Sequence, residues 1–177
     1  VAGPGRDLAG VVDAGAATWC SGGSGRVGSV TTANSLFGTH ANDRISGNGI
    51  AVLRNGHYVV RSSLWDDGLV TDVGAATWGS GGTGIVVAVG EANSLVGSRT
   101  EDLVGLSGVI ALTNGHYVVR SSSWANGNQA QAGAATWADG SSGRRGTGSA
   151  AHSRVRTPGC DLVGTLGTAL SNGNYVI

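Results

Sequence analysis

The pentapeptide GAATW occurs at residues 15–19, 74–78 and 133–137, and its constant step of 59 residues makes the chain a set of tandem copies. A second marker keeps the same order: NGHYVVRSS stands at 55–63 and again at 114–122, and NGNYVI follows at the end of the sequence. A repeat of this size indicates a propeller, a solenoid or another repeat array. Function must therefore be inferred from the repeat.

The amino-acid composition argues against several classes of protein. Gly accounts for 33 of the 177 residues, but there are only two Pro and no Gly-X-Y pattern, which argues against collagen. The formal net charge is zero and only 12% of residues are charged, so the chain has no overall electrostatic footprint for nucleic acid. No apolar run reaches the roughly 18 residues that a membrane helix needs, and VAGPGRDLAG lacks the regions of a signal peptide. We expect neither nucleic-acid binding nor membrane insertion.

Asn-Gly pairs mark β-hairpins in the repeat. IAVLRNGHYVV at 50–60 and VIALTNGHYVV at 109–119 place β-prone residues on both sides of Asn-Gly, a pair that accepts the positive φ of a type I′ turn. The small residues and terminal Trp of GAATW suit a strand packed closely against its neighbours. GIVVAVGEANSLVG at 84–97 adds a β-branched run that breaks at Gly90 and resumes at Ser94. About four strands fit in each copy, and no window has helical periodicity.

These signals predict an all-β fold of propeller-like blades, each with about four antiparallel strands, in three 59-residue repeats. The alternative is a β-solenoid. Its coils pair in parallel, whereas Asn-Gly hairpins demand antiparallel neighbours, so the propeller blade is favoured.

The order DLVG, apolar strand, NGHYVV, loop and GAATW resembles the FG-GAP blades of integrin-α-type propellers. The detailed sequence of the motifs, NGHYVVRSSSW followed by AGAATWADG, is similar to repeats of large bacterial surface proteins related to filamentous-haemagglutinin-type adhesins. The resemblance covers nearly all of the chain and implies a secreted, cell-surface, non-catalytic protein without implying a ligand. Integrin-type blades often carry a Ca²⁺ loop. Asp66, Asp67 and Gly68 come closest to one, but the next copy has no Asp there, so no metal or other cofactor is expected.

The five Trp residues fall into two groups. Trp19, Trp78 and Trp137 end the three GAATW tracts and are interpreted as core or inter-blade packing, because every blade needs the same contacts. Trp65 and Trp124 end a strand beside a polar turn. We expect these two either to contact a ligand at the surface or to pack like the others.

No catalytic constellation emerges from the sequence. His57 and His116 share one repeat position, which suits a polar residue beside a turn rather than a general base. No activated-serine elbow and no His or Cys spacing typical of a metal site is present. The chain is therefore expected not to be an enzyme.

Arginines are concentrated in the third copy. Arg144, Arg145, Arg154 and Arg156 lie within 13 residues, where the second copy has an apolar run. Such a cluster suits bidentate contacts with an anionic glycan, a phosphate or an acidic partner. The alternative is a solvated outer strand that has drifted in sequence.

The phase of the repeat divides 1–177 into complete and partial units of one array. Units 43–101 and 102–160 are complete, whereas 161–177 and 1–42 are partial. Either another chain completes the partial units, giving a closed ring or a head-to-tail filament, or the sequence is a segment of a longer array. Edge pairing of unclosed strands favours some form of self-association.

The two cysteines bracket the composite unit that the two partial units would form. Cys160 immediately precedes one partial unit and Cys20 follows the GAATW of the other. An extracellular setting would permit a disulfide between Cys160 of one chain and Cys20 of the next. The alternative is two free thiols.

Tandem repeats, low charge and the lack of a catalytic cluster together predict a non-catalytic structural or adhesive module. We expect it to belong to an extracellular, bacterial surface or filament protein. The alternative is a carbohydrate-binding propeller lectin that uses Trp65 and Trp124.

Overall fold

The computed structural model describes residues 1–155 and 162–177, and all the regular structure in those residues is β-strand. The strands are β1 (Ala2–Gly3), β2 (Ala16–Ala17), β3 (Leu36–Phe37), β4 (Ile50–Val52), β5 (Tyr58–Ser62), β6 (Ala75–Gly79), β7 (Val87–Ala88), β8 (Ser94–Val96), β9 (Gly108–Ala111), β10 (Tyr117–Ser121), β11 (Ala134–Ala138), β12 (Gly146–Thr147), β13 (Ser153–Val155), β14 (Thr168–Ala169) and β15 (Tyr175–Val176). None of these stretches contains a helix long and apolar enough to cross a membrane.

The strands form four sheets, which we number along the chain. The first sheet has the order β1-β2-β3-β7, the second β12-β8-β6-β5-β4, the third β13-β11-β10-β9, and the fourth is the hairpin β14-β15. Apart from β7 and β12, which come from the following repeat, every sheet is an antiparallel meander. The prediction of all-β repeats with about four antiparallel strands each is confirmed.

The Asn-Gly hairpins form, but with a different turn from the one expected. In the β4–β5 hairpin the amide of Leu53 bonds to the carbonyl of His57, and the amide of Gly56 bonds to the carbonyl of Leu53. Gly56 has a φ of 86°, whereas Asn55 is not at positive φ. A type I′ turn needs positive φ at both residues, so this connection is the three-residue kind with a Gly bulge.

Side chains alternate across the second sheet and bury both of its faces. Val59, Ala76 and Leu95 lie on the face toward the third sheet, where they share a core with Tyr117 and Val119. On the opposite face, Val60, Ala75 and Val96 share a core with Ala17 and Leu36 of the first sheet. The sheets therefore stack face to face. Both faces of a strand such as β6 must be apolar, which explains why its motif does not alternate.

Each residue of GAATW before the Trp has its own structural reason. Gly74 has a φ of 75°, and a β-carbon there would overlap the backbone nitrogen of Val104 in the next repeat. Ala75 and Ala76 are 0% and 1% exposed between the sheets. Thr77 shares a 2.7 Å hydroxyl hydrogen bond with Ser94 on the adjacent strand, and the other two copies repeat it. The motif is fixed by packing and hydrogen bonding within the stack.

Parallel strand pairs join each repeat to the one before it. The connection between the third and fourth strands of a repeat reaches back, so that β7 pairs with β3 and β12 pairs with β8. Gly15 and Ile45 form a further parallel bridge, as do Gly133 and Val163. Antiparallel hairpins within repeats are typical of propeller blades, whereas parallel pairing between repeats is typical of solenoids. The architecture is thus consistent with either arrangement.

Gly81 and Gly82 offer a matched test of this close packing. A methyl group at Gly81 would overlap the carbonyl oxygen of Gly56, whereas the nearest atom to a methyl at Gly82 is Ser80 Oγ at 3.9 Å. We expect Gly81→Ala to lower the free energy of unfolding by about 1–3 kcal/mol, as overpacking does, and Gly82→Ala to leave it nearly unchanged. Urea unfolding measures both. Equal effects of the two substitutions would contradict the packing described here.

Candidate functional site at the interfaces between repeats

A series of contacts between Trp and His side chains and Gly backbone groups crosses the interfaces between repeats. Trp19 Nε1 donates to the Gly81 carbonyl of the following repeat at 2.9 Å. The Gly81 amide donates to His57 Nδ1 at 3.1 Å, and the His57 ring lies 4.9 Å from the Trp78 ring. Trp78 Nε1 then donates to Gly140 in the next repeat, again at 2.9 Å. We call this series the Trp–Gly–His ladder.

The ladder continues to the third repeat and stops at an exposed ring. The Gly140 amide donates to His116 Nδ1 at 3.2 Å, and His116 lies 5.0 Å from Trp137. Trp137 is 43% exposed, because no following repeat covers it among the described residues. Trp19 and Trp78 thus make the packing between repeats that was predicted for the GAATW tryptophans.

The Asn side chains of the Asn-Gly turns also contact the following repeat. Asn55 Oδ1 accepts the amide of His57 within its own turn, while Nδ2 donates to the Gly140 carbonyl at 2.9 Å. Asn114 Nδ2 similarly donates to the carbonyl of Gly173 at 3.3 Å. One amide group therefore fixes its own turn and contacts the following repeat.

Two buried carboxylates form a brace between successive repeats, because each accepts hydrogen bonds from backbone amides on both sides of the connection. Asp102 is 1% exposed and accepts the amides of Ser98, Arg99 and Ala125 at 2.8, 3.0 and 2.9 Å. Asp43, which is fully buried, makes the same set of bonds one repeat earlier. Burial raises the pKa of Asp43 above its ordinary value, and the backbone N–H groups oppose that shift.

The first interface is open on one side. A cavity of about 330 Å³ lies there, lined by Val1, Ala17, Thr18, Trp19, Cys20, Ile50, Val52, Gly56, His57, Tyr58 and Gly81. Ile50 and Val52 of β4 are 41% and 72% exposed. Their counterparts in the next repeat, Val109 and Ala111, are partly buried against the core between the second and third sheets. The same strand position is therefore covered at one interface and uncovered at the other.

Trp65 and Trp124, for which either a ligand contact or a packing role was expected, lie in the core. They are 3% and 5% exposed, and each belongs to the core of one interface. Trp65 packs with Ile45, Val73 and Val89 in one of these cores. A ligand at the surface has no access to either ring in this arrangement. Trp65 and Trp124 occupy the same position in successive repeats, and this repetition was the signal in the sequence for a packing role.

The arginines of the third copy are distributed over two sheets. Arg144 and Arg145 immediately precede β12, which belongs to the second sheet, and Arg154 lies in β13 of the third sheet. Arg145 and Arg154 are exposed, whereas Arg144 is half-buried and its amide bonds to the Tyr117 hydroxyl. Arg156 lies outside the described residues. The anion contact expected of these arginines stays a prediction.

Cys20 is a free, half-buried thiol that lines the cavity at the first interface. Cys160 lies outside the described residues, so the expected disulfide stays a prediction. Among residues 1–155 and 162–177, no group of three or more His, Cys, Asp or Glu side chains is arranged to hold a metal ion.

Several interface residues were not singled out from the sequence. His57 was interpreted as a turn residue, but its Nδ1 accepts a backbone amide and its ring contacts Trp78. Asp43 and Asp102 were not identified, although their equal repeat position was a usable signal. Burial of a carboxylate by backbone amides has no signature in the sequence itself.

A family model described as a repeat of unknown function (DUF5650) matches residues 6–47, 52–106 and 111–165. The chain belongs to this family. The three matches confirm the tandem repeats, and the DUF5650 description carries no adhesin or integrin-type identity. No curated protein and no solved structure matches the chain.

Substitutions at Trp78 and Trp137 distinguish the contribution of the Trp–Gly–His ladder to the stability of a DUF5650 repeat from the general effect of losing an indole. Trp78→Phe removes the hydrogen bond to Gly140 inside an interface, and we expect it to lower the free energy of unfolding by about 1–3 kcal/mol. Trp137→Phe changes an exposed ring and is expected to cost much less. Thermal and urea unfolding compare the two. A larger loss for Trp137→Phe would contradict the ladder.

Asp102→Asn tests the brace between repeats. Asparagine offers one acceptor oxygen and places an NH₂ group against backbone amides that need an acceptor, so we expect a loss of roughly 1–3 kcal/mol. The exposed Asp67→Asn serves as the control and is expected to change stability by less than about 0.5 kcal/mol. Urea unfolding at neutral pH is the measurement. A loss for Asp67→Asn as large as that for Asp102→Asn would show that the brace is unimportant.

Proposed function

We propose that this chain is a non-catalytic structural module whose repeats dock on one another, and that its uncovered interfaces bind a second copy of the chain. The observation that carries the proposal is the pairing of Trp78 with Gly140, because the same donor in the next repeat, Trp137, is left exposed. The docking chemistry present inside the chain is thus available again at its surface.

Both ends of the stack support this proposal. At one end, β14 and β15 form only a two-stranded sheet against the third sheet. At the other, Ile50 and Val52 are exposed where the next repeat has partly buried residues. A hairpin equivalent to β14–β15, supplied by a second copy, would cover β4 in the way that β4 covers β9. Exposed strand edges favour such pairing.

Two assemblies follow from head-to-tail docking. If the rotation between copies closes, the product is a ring, and if it does not, the product is a filament. We further propose that the assembly works at a bacterial surface or outside the cell, as the resemblance to adhesin repeats and to FG-GAP blades suggests. A disulfide between Cys20 and Cys160 of neighbouring copies belongs to the same proposal.

Sedimentation velocity over a range of concentrations tests the proposal. We expect the unaltered chain to form dimers or larger species, and Val52→Asp and Trp137→Asp to remain folded monomers because each places a charge in the docking surface. Leu69→Asp is the control, since Leu69 is fully exposed in the loop between β5 and β6.

The possible outcomes of the sedimentation experiment distinguish docking from its absence. Association by the unaltered chain and by Leu69→Asp, lost in the two interface variants, supports docking. A chain that stays monomeric at millimolar concentration would overturn the proposal, and so would undiminished association of both interface variants. Circular dichroism confirms folding of each variant, and negative-stain images of the associated species distinguish a ring from a filament.

Carbohydrate binding is the alternative function. It depended on Trp65 and Trp124 as exposed contacts, and both are core residues. The cavity lined by Trp19 and Tyr58 offers a different aromatic surface for a sugar. A glycan array with the intact chain, repeated with Trp19→Ala, tests this alternative. Specific binding that the substitution abolishes would support a lectin.

A further inference from the structure

The backbone that continues β2 lacks a partner on one side. All five residues of β6 pair with β5, and all five residues of β11 pair with β10. In the first sheet β1 pairs only with the two residues of β2, and Val1 adds two backbone bonds to Thr18. The next two residues, Trp19 and Cys20, have no strand on that side among the described residues, and both line the cavity at the first interface.

The strand β15 lacks a partner on the complementary side. β5 lies between β4 and β6, and β10 lies between β9 and β11, whereas in the described residues β15 pairs with β14 alone. Val176 in β15 is 55% exposed, but its counterparts Val59 and Val118 are 0% exposed. The β14–β15 hairpin is thus without the third strand that covers the other two hairpins.

The turn of the β14–β15 hairpin is closed in the same way as the turn of β4–β5. The Leu170 amide bonds to the Asn174 carbonyl at 2.8 Å, and the Gly173 amide bonds to the Leu170 carbonyl at 3.3 Å. Gly173 has a φ of 87°, close to the 86° of Gly56. The two hairpins are structural counterparts, so the pairing of β5 with β6 is a template for β15.

This template gives the register of β15 beside β2. Tyr58 lies opposite Gly79 in the second sheet, and the same register places Tyr175 of β15 opposite Cys20. A side chain is tolerated opposite the tyrosine, because the third sheet has Ala138 at that position.

One chain cannot join the two unpaired edges by itself. The first and second sheets share one core, the second and third sheets share another, and the third sheet packs against β14–β15 on its other face. The second and third sheets therefore separate β15 from β2. A second copy of the chain is needed to bring the two edges together.

A loop glycine of the first repeat is open where its counterparts are closed. A β-carbon at Gly81 would overlap the carbonyl oxygen of Gly56, and one at Gly140 would overlap that of Gly115. These carbonyls belong to the turns of β4–β5 and β9–β10. The equivalent glycine of the first repeat, Gly22, has nothing within 4 Å of that position. The neighbour that Gly22 lacks is therefore a hairpin turn.

We propose that β15 of one copy pairs with the free edge beside β2 of a second copy, so that one sheet continues across two chains. Addition of an extended segment to an exposed sheet edge is a common mode of recognition. In this arrangement Ile177 takes the place of Val1 opposite Thr18, and the Gly173 carbonyl lies against Gly22. The pairing rests on the self-association proposed above and specifies the segment that docks, the edge that receives it and their register. The two surfaces differ, so the interface is heterologous.

Gly22→Ala and Gly23→Ala form a matched pair for this contact. Both positions have room for a methyl group in the single copy, so we expect both variants to be as stable as the unaltered chain. In the docked pair a methyl group at Gly22 would overlap the Gly173 carbonyl, whereas Gly23 corresponds to Gly82, which stays open inside a covered interface. Sedimentation velocity should show association weakened by about tenfold or more in Gly22→Ala and unchanged in Gly23→Ala.

Disulfide trapping between two differently substituted chains tests the register. One chain carries Tyr175→Cys and Cys20→Ser, the other keeps Cys20, and both carry Cys160→Ser. Mild oxidation should join the two chains, because opposed residues of an antiparallel pair lie about 5.5 Å apart or less. Thr168→Cys in place of Tyr175→Cys is the control, since β15 separates Thr168 from the docked edge by two strand spacings, roughly 10 Å, which is too far for a disulfide.

The results separate this pairing from self-association in general. Association weakened by Gly22→Ala alone, together with a disulfide from Tyr175→Cys but not from Thr168→Cys, supports the pairing. Association that Gly22→Ala leaves unchanged, or a Tyr175→Cys chain that is trapped no better than the Thr168→Cys chain, would overturn the pairing while self-association stands. A chain that does not associate at all overturns both.

Discussion

The contact of Gly74 with the backbone of Val104 is the constraint on which the rest of the structure depends. The segment leading into the third repeat runs parallel to the start of β6, and its amides at Leu103 and Val104 bond to the carbonyls of Asp72 and Val73. No side chain fits between the two backbones. Gly15 and Gly133 make the same approach to Ile45 and Val163. Glycine at the start of GAATW therefore sets the spacing between repeats, and the small alanines that follow let the sheets stack at that spacing.

Neighbouring repeats supply what a single repeat lacks. A sheet of short strands exposes both apolar faces and its edges, and here both faces of the second sheet are covered by other repeats while β12 occupies one edge. The Trp–Gly–His ladder and the buried Asp43 and Asp102 add directional bonds to this packing. Repeat proteins of this kind owe their stability to nearest-neighbour contacts.

The sequence predicts the regular part of this arrangement and misses the contacts between repeats. Asn-Gly and the β-branched runs locate the β4–β5 and β9–β10 hairpins, and GAATW locates β2, β6 and β11, because these signals are local. The predicted turn type was wrong, because the connection has three residues and only Gly56 of the Asn-Gly pair has a positive φ. The return of β7 to β3 was missed because a two-residue strand has no pattern of its own. Trp65 was open to either interpretation because it ends a strand beside a polar turn, and the residues that bury it are distant in the sequence.

Amide hydrogen exchange in the intact chain, with and without Gly74→Ala, tests the central claim most directly. The account predicts that the substitution removes protection on both sides of the interface, at β6 and at Leu103 and Val104, and that protection in β10 falls with them because the third sheet loses its support. The hairpin β14–β15 should change less, since it packs on the opposite face of the third sheet. Unchanged exchange at Leu103, Val104 and β10 would show that the repeats do not depend on this contact, and would contradict the account.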